Sequence, residues 1–208
     1  MFKNLFNPNN SLMITMSWIT DCIFLSLFWI LGCFPVVTMG ASFAALYDAS
    51  YRGFRKGEKN GWQRFLQVYR ENWKASILPT VVFLAAFYLL GKAMIVLWNS
   101  TVAGSISWMV FSGGAFLGVL VLGMLSVLFP MLSRFENTTA GLLKNSLLLA
   151  IAHLPRTVAL GLLNAVTALL CIRFVVPLFF LPALAALIGS LFIEPMFKPY
   201  MPVEEAAE

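Results

Sequence analysis

Five long apolar runs, Met13 to Phe34, Ala75 to Trp98, Ser107 to Leu132, Thr157 to Cys171 and Val175 to Ile193, take up most of this 208-residue chain and leave little from which to build a soluble domain. A helix rises 1.5 Å per residue, so roughly 20 apolar residues cross a hydrocarbon core of about 30 Å. The fourth run is short for that task unless Arg156 and Arg173 extend their charged heads to the surfaces at its two ends. The pattern predicts an all-α fold: a polytopic transmembrane helical bundle of about five spans (13–34, 75–98, 107–132, 157–173 and 175–193) forming a single integral membrane domain, with the lipid bilayer as its first partner.

Charge supports the same class. Only 11% of the residues are charged, against about a quarter in a typical soluble domain. The net charge of +5 therefore calls for a membrane explanation, and no soluble basic surface is left to bind nucleic acid. Arg52, Arg55, Lys56, Lys59, Arg64, Arg70 and Lys74, half of the 14 basic residues, lie between the first and second runs. Basic loops stay on the cytoplasmic side. The segment carrying Arg134, Lys144 and Arg156 belongs on that side too, as does Lys198, which makes the C-terminus cytoplasmic. The uncharged stretch 99–106 faces outward. Five spans would then put the N-terminus outside, in conflict with Lys3, unless a further short segment crosses.

That segment is Val36 to Tyr51. Pro35 has no N–H and disfavours helical geometry in Phe34, so the first helix ends or kinks there. Met39, Phe43, Leu46, Tyr47 and Phe54 then recur at helical spacing, with Asp48, Arg52 and Arg55 on another face. Two readings stand: a tilted or interfacial helix over about 38–56, or a short full span. A second amphipathic helix is expected over 62–74, where Trp62, Phe65, Leu66, Tyr69 and Trp73 make an aromatic stripe opposed by Gln63, Arg64, Gln67, Arg70, Glu71 and Lys74, as in a helix lying in the headgroup plane. Gly57 to Gly61 is the turn between them. A third short helix is expected over 138–152, interrupted by Lys144 and Asn145.

Reactive groups are few. The chain has no Gly-Lys-Ser/Thr phosphate loop, no His-Glu-x-x-His and no Gly-x-Ser-x-Gly, and its one histidine, His153, cannot build a metal centre. Cys22, Cys33 and Cys171 lack paired spacing and read as small apolar packers. No cofactor, metal or enzymatic activity is expected. Asp21, two turns inside the first run, is the polar residue that most needs explanation, because a lone carboxylate there costs several kcal/mol. Either it takes a proton or a solute, or it is satisfied near one surface or by Ser126 or Asn164 across the bundle. Thr38 and Gly40 serve the turn after Pro35, as a cap and as a site of close approach. Gly114 and Gly118 form a Gly-x-x-x-Gly suited to close helix packing.

The run Leu31-Gly32-Cys33-Phe34-Pro35-Val36-Val37-Thr38-Met39-Gly40-Ala41, continuing to Ala44-Ala45-Leu46-Tyr47, resembles the L-P-V-V-T-x-G-A and A-A-L-Y hallmark of the YesL family, with Phe34 where Leu often precedes the proline. Phe65, Tyr69, Glu71, Asn72 and Trp73 are similar to the family's F-x-x-F-x-x-N-[FW] stretch, and Leu142-Leu143-Lys144-Asn145 through Leu154-Pro155-Arg156-Thr157 extend the likeness. The resemblance implies a small bacterial plasma-membrane protein of unassigned function, in some members encoded near carbohydrate-uptake systems, and it supplies no catalytic residues. Two functions are therefore expected: a non-enzymatic accessory or regulatory component docking on lipids or a membrane transport complex, or a small-solute or sugar permease subunit. The permease would need Asp21, Ser112, Ser126, Asn145, Asn164 and Thr167 to converge on one interior cavity; dispersal favours the accessory role.

Overall fold

The computed structural model describes residues 11–58, 60–100, 106–135 and 139–200, and over these the chain is all helix with no strand. Seven α-helices follow one another: α1 Ser11–Cys33, α2 Met39–Arg55, α3 Gly61–Ser100, α4 Ile106–Arg134, α5 Thr139–Ala152, α6 Leu154–Arg173 and α7 Leu181–Phe197. Five of them, α1, α3, α4, α6 and α7, are long and apolar enough to cross a membrane. Their outer surface is apolar as well: Phe34, Leu89 and Ile172 are 90%, 68% and 83% exposed. In water such a surface would aggregate, whereas lipid tails solvate it.

α1 and α2 form an antiparallel hairpin. Trp18 meets Phe54 and Trp29 meets Phe43, so the start of α1 lies beside the end of α2. The bend consists of Pro35 and a 3-10 turn, Val36–Thr38. Thr38 was expected to cap the following helix, but its hydroxyl points backward and is shared between Gly32 O at 3.1 Å and Pro35 O at 2.9 Å. The carbonyls at the end of α1 have no later turn of helix to serve them, and the hydroxyl fills that gap. Gly40 behaves as expected, since a Cβ there would collide with Phe129 and Thr80.

The amphipathic reading of 38–56 as a helix lying along an interface does not hold. Every residue of α2 from Gly40 to Ser50 except Phe43 is buried, so both faces of the helix are covered. Gly40, Ala41, Ser42, Ala44, Ala45 and Ala49 make it a narrow cylinder that accepts neighbours on all sides, and α1, α3, α4 and α7 all pack on it. α3 runs antiparallel to α2, with Arg64 beside Asp48 and Thr80 beside Gly40. α4 runs parallel to it, with Phe129 on Phe43 and Arg134 beside Asp48.

The 62–74 stripe is likewise not a separate surface helix. It is the first third of α3, which continues through Pro79 for 40 residues, about 60 Å and twice the hydrocarbon thickness. Phe65 and Val68 face inward, with Phe65 packed on Phe28 and Tyr69, while Trp62 and Trp73 remain exposed. The stripe was wider than the face it buries. Gly57 and Asn60 supply the two left-handed backbone positions of the α2–α3 turn, at φ of 68° and 75°.

α4 and α6 cross closely where Gly123 faces the Thr157 carbonyl and Gly161 faces the Val119 carbonyl. Gly114 and Gly118, the Gly-x-x-x-Gly pair, do admit close packing, but against side chains of α3, Met94 and Leu97 at the first and Leu90 at the second, rather than against backbone. A methyl at Gly161 has a carbonyl in its path and cannot be absorbed by a rotamer change. Gly161→Ala should therefore lower the stability of the detergent-solubilised protein by roughly 1–3 kcal/mol, read as an earlier thermal transition. Gly91→Ala and Gly113→Ala, where nothing lies within 4 Å, should leave it in place; equal effects at all three positions would refute the crossing.

Candidate functional site

The charged residues of four helices meet at one end of the bundle. Asp48 on α2 has a fully buried side chain. Its Oδ2 accepts from Arg64 Nε of α3 at 2.5 Å, and its Oδ1 accepts from Arg52 Nε one turn along α2 at 3.3 Å. Arg134, at the end of α4, brings its Nε to 3.9 Å from Oδ1, close enough for attraction but beyond hydrogen-bond length. The other end of that guanidinium donates from Nη2 to Glu194 Oε1 of α7 at 3.0 Å, and Tyr47 Oη donates to the same oxygen at 2.7 Å. Tyr51 lies under the guanidinium, its ring centroid 4.5 Å from Arg134 Cζ, and stacks on Tyr47. Arg52 also donates to Glu58 of the α2–α3 turn at 3.3 Å.

Three arginines face three carboxylates, so the junction is formally neutral and needs no outside counterion. Its chemistry is that of a tie: α2, α3, α4 and α7 are pinned at one level by groups that cannot be left alone in a low-dielectric interior. Helical periodicity puts Asp48, Arg52 and Arg64 on the polar faces of amphipathic helices and says nothing of Glu194. A usable signal was present, since Asp48 interrupts a Gly/Ala/Ser-rich helix and Glu194 interrupts the apolar run of α7, and charges in such positions need partners.

The residues proposed from sequence do not gather in one place. Pro35, Thr38 and Gly40 form the α1–α2 bend. Asp21 is exposed on α1 and is bracketed by Trp18 against Phe54 and Leu25 beside Gly61, which puts it level with the charged α2–α3 turn. It does not meet Ser126 or Asn164. Those two pair with each other, Asn164 Nδ2 donating to Ser126 Oγ at 2.6 Å. Glu71 is exposed and accepts from Gln67, and Asn72 donates back to Val68 O. Lys144 and Asn145 are exposed on α5, and Arg156 is half-buried in the first turn of α6. His153 is the residue between α5 and α6. The three cysteines are free thiols, and no cluster of metal-ligating side chains occurs among the described residues.

A half-open cavity of about 210 Å³ lies between α1, α2, α4, α6 and α7. Ser126, Asn164 and Thr167 line it; Asp21, Ser112 and Asn145 do not.

If the junction is a tie, removing its centre should unfold the end it holds. Asp48→Asn leaves Arg64 and Arg134 short of an anion and should destabilise the protein by about 3–5 kcal/mol, seen as loss of the folded, monodisperse fraction in detergent. Arg55→Ala, an exposed residue on the same helix, should change stability by less than about 0.5 kcal/mol. An Asp48→Asn protein as stable as the parent would show that the ion pairs contribute nothing net.

Residues 22–92, from α1 to the distal part of α3, match the model of a family described as proteins of unknown function, DUF624. No curated protein and no solved structure matches the chain.

Proposed function

We propose that this chain is a non-enzymatic accessory or regulatory component of a bacterial plasma membrane, with its charged end in the cytoplasm, acting beside a transport system for carbohydrate rather than carrying solute itself. The observation behind this reading is the dispersal of the polar groups a solute path would require. Asp21, Ser112 and Asn145 are exposed on three different helices, Ser126 and Asn164 are engaged with each other, and the buried charges neutralise one another. A sugar route needs many donors and acceptors facing one aqueous channel, and the cavity offers mostly carbon. The carbohydrate association rests on the likeness to the YesL family.

The hairpin supports one orientation. With α2 returning beside α1, the start of α1 and the end of α7 both lie at the arginine-rich end, where Trp18 meets Phe54 and Glu194 meets Arg134. Retention of basic segments on the cytoplasmic side then puts both termini inside, which agrees with Lys3 and Lys198. In a background without the three native cysteines, single cysteines at Ser11, Glu58 and Lys198 should resist a membrane-impermeant thiol reagent in intact cells, and one at Ser100 should react. Reaction at Glu58 from outside would invert the model, and reaction at Ser11 alone would mean that α2 does not cross.

A permease remains the second reading, because Ser126, Asn164 and Thr167 do share a cavity. The two are separated by reconstitution. Purified protein in vesicles should give no sugar flux above protein-free vesicles, while mild-detergent extraction of native membranes should recover it with transport subunits. Robust flux by the isolated chain would decide for the permease.

A further inference from the structure

The cavity between α1, α2, α4, α6 and α7 has a hydrogen-bonding character that its wall composition does not reveal. Phe43, Leu46, Leu125, Phe129, Leu160 and Ile193 supply apolar surface, and four polar residues line it, Tyr47, Ser126, Asn164 and Thr167, together with the weakly donating thiol of Cys171. Each of their strong donors is engaged. Ser126 Oγ donates to Leu122 O at 2.8 Å, Thr167 Oγ1 to Leu163 O at 2.8 Å and Tyr47 Oη to Glu194 at 2.7 Å. Asn164 directs its amide nitrogen to Ser126 Oγ at 2.6 Å and Leu160 O at 3.0 Å. Because a backbone carbonyl can only accept, this arrangement fixes which side of the amide is nitrogen. Its Oδ1 is left without a donor among the described residues. Trp29 also lines the cavity; its indole N–H has no hydrogen-bond partner, but it is buried below the cavity surface, out of reach of a water-sized group.

The open valence is thus an acceptor in an apolar chamber. A carboxylate or phosphate would enter without a strong donor to receive it, and a sugar would leave most of its hydroxyls unpaired, each at a penalty. An apolar chain carrying one hydroxyl loses nothing: its carbon replaces lipid contacts, and its O–H reaches Asn164. We infer that this cavity is a binding site for a neutral, largely apolar molecule with a single hydroxyl donor, of the chemical class of long-chain alcohols, and that Asn164 Oδ1 reads the hydroxyl. The inference is independent of whether the chain serves as an accessory or a permease.

The test uses the full chain in lipid nanodiscs, labelled with an octanol analogue carrying a photoreactive diazirine, with unlabelled octanol, octyl methyl ether and octanoate as competitors. The ether keeps the octyl chain and the oxygen but replaces the donor hydrogen by a methyl group. Labelling should map to α4 and α6, and octanol should compete about fivefold more strongly than the ether at equal membrane concentration, the ratio expected of one net hydrogen bond. Octanoate should be weakest. Asn164→Leu should bring octanol and ether to parity while the fold persists, and Ala186→Phe, which places a ring in the cavity, should remove the labelling. Should Asn164→Leu not fold, the parent's octanol-to-ether ratio and the Ala186→Phe result decide between them. Equal competition by alcohol and ether in the parent, as expected if a water alone occupies Asn164, would overturn the assignment, as would preference for octanoate or labelling unaffected by Ala186→Phe.

Discussion

A carboxylate with no exposed surface sets the terms for this bundle. Asp48 sits on the most buried helix of the chain, and an ionised group there is tolerable only if cations reach it with good geometry. Arg52 is supplied by the same helix one turn later. Arg64 and Arg134 must be brought by α3 and α4, which fixes the level at which those helices begin and end. Arg134 in turn carries charge beyond what Asp48 balances, and Glu194 answers it from α7. The tyrosines complete the arrangement: Tyr47 adds a donor to Glu194, and Tyr51 gives the guanidinium an aromatic face. Four helix positions thus follow from one buried charge.

The remaining contacts depend on size more than on charge. α2 can lie at the centre because most of its buried positions carry one carbon of side chain or none. α4 and α6 approach to backbone contact through Gly123 and Gly161, the means by which helices in lipid gain van der Waals contact when no hydrophobic force drives them together. Beside that crossing lies the cavity at Ser126 and Asn164. Close contact at one point and open space next to it are two aspects of the same geometry.

Those constraints bear on what the molecule can do. Its buried charges are balanced internally and its hydroxyls mostly bond to carbonyls of their own helix, leaving few polar atoms free to dehydrate a solute. What the chain presents outward is a basic end and a long apolar surface, features suited to lipid and to neighbouring membrane proteins. Among the described residues, Ser126, Asn164 and Thr167 share one largely apolar cavity.

The sequence by itself determined the class of fold, the number of long apolar helices and the position of the bends at Pro35 and Gly57–Asn60, because chain length against bilayer thickness, the missing proline N–H and the need for positive φ are local or one-dimensional constraints. The inward role of Gly40 was legible for the same reason. Which charges are buried was not. Asp48 looked like part of a polar face because helical periodicity shows how residues are grouped around an axis but not what covers each group, and the answer depended on Arg64, Arg134 and Glu194 from 16 to 146 residues away in the chain. The Gly123–Gly161 crossing escaped for a related reason, being made by single glycines on different helices, whereas Gly114 and Gly118 had a readable spacing and do receive side chains of α3. The open Asn164 oxygen could be found only after every donor around it had been assigned a partner in three dimensions.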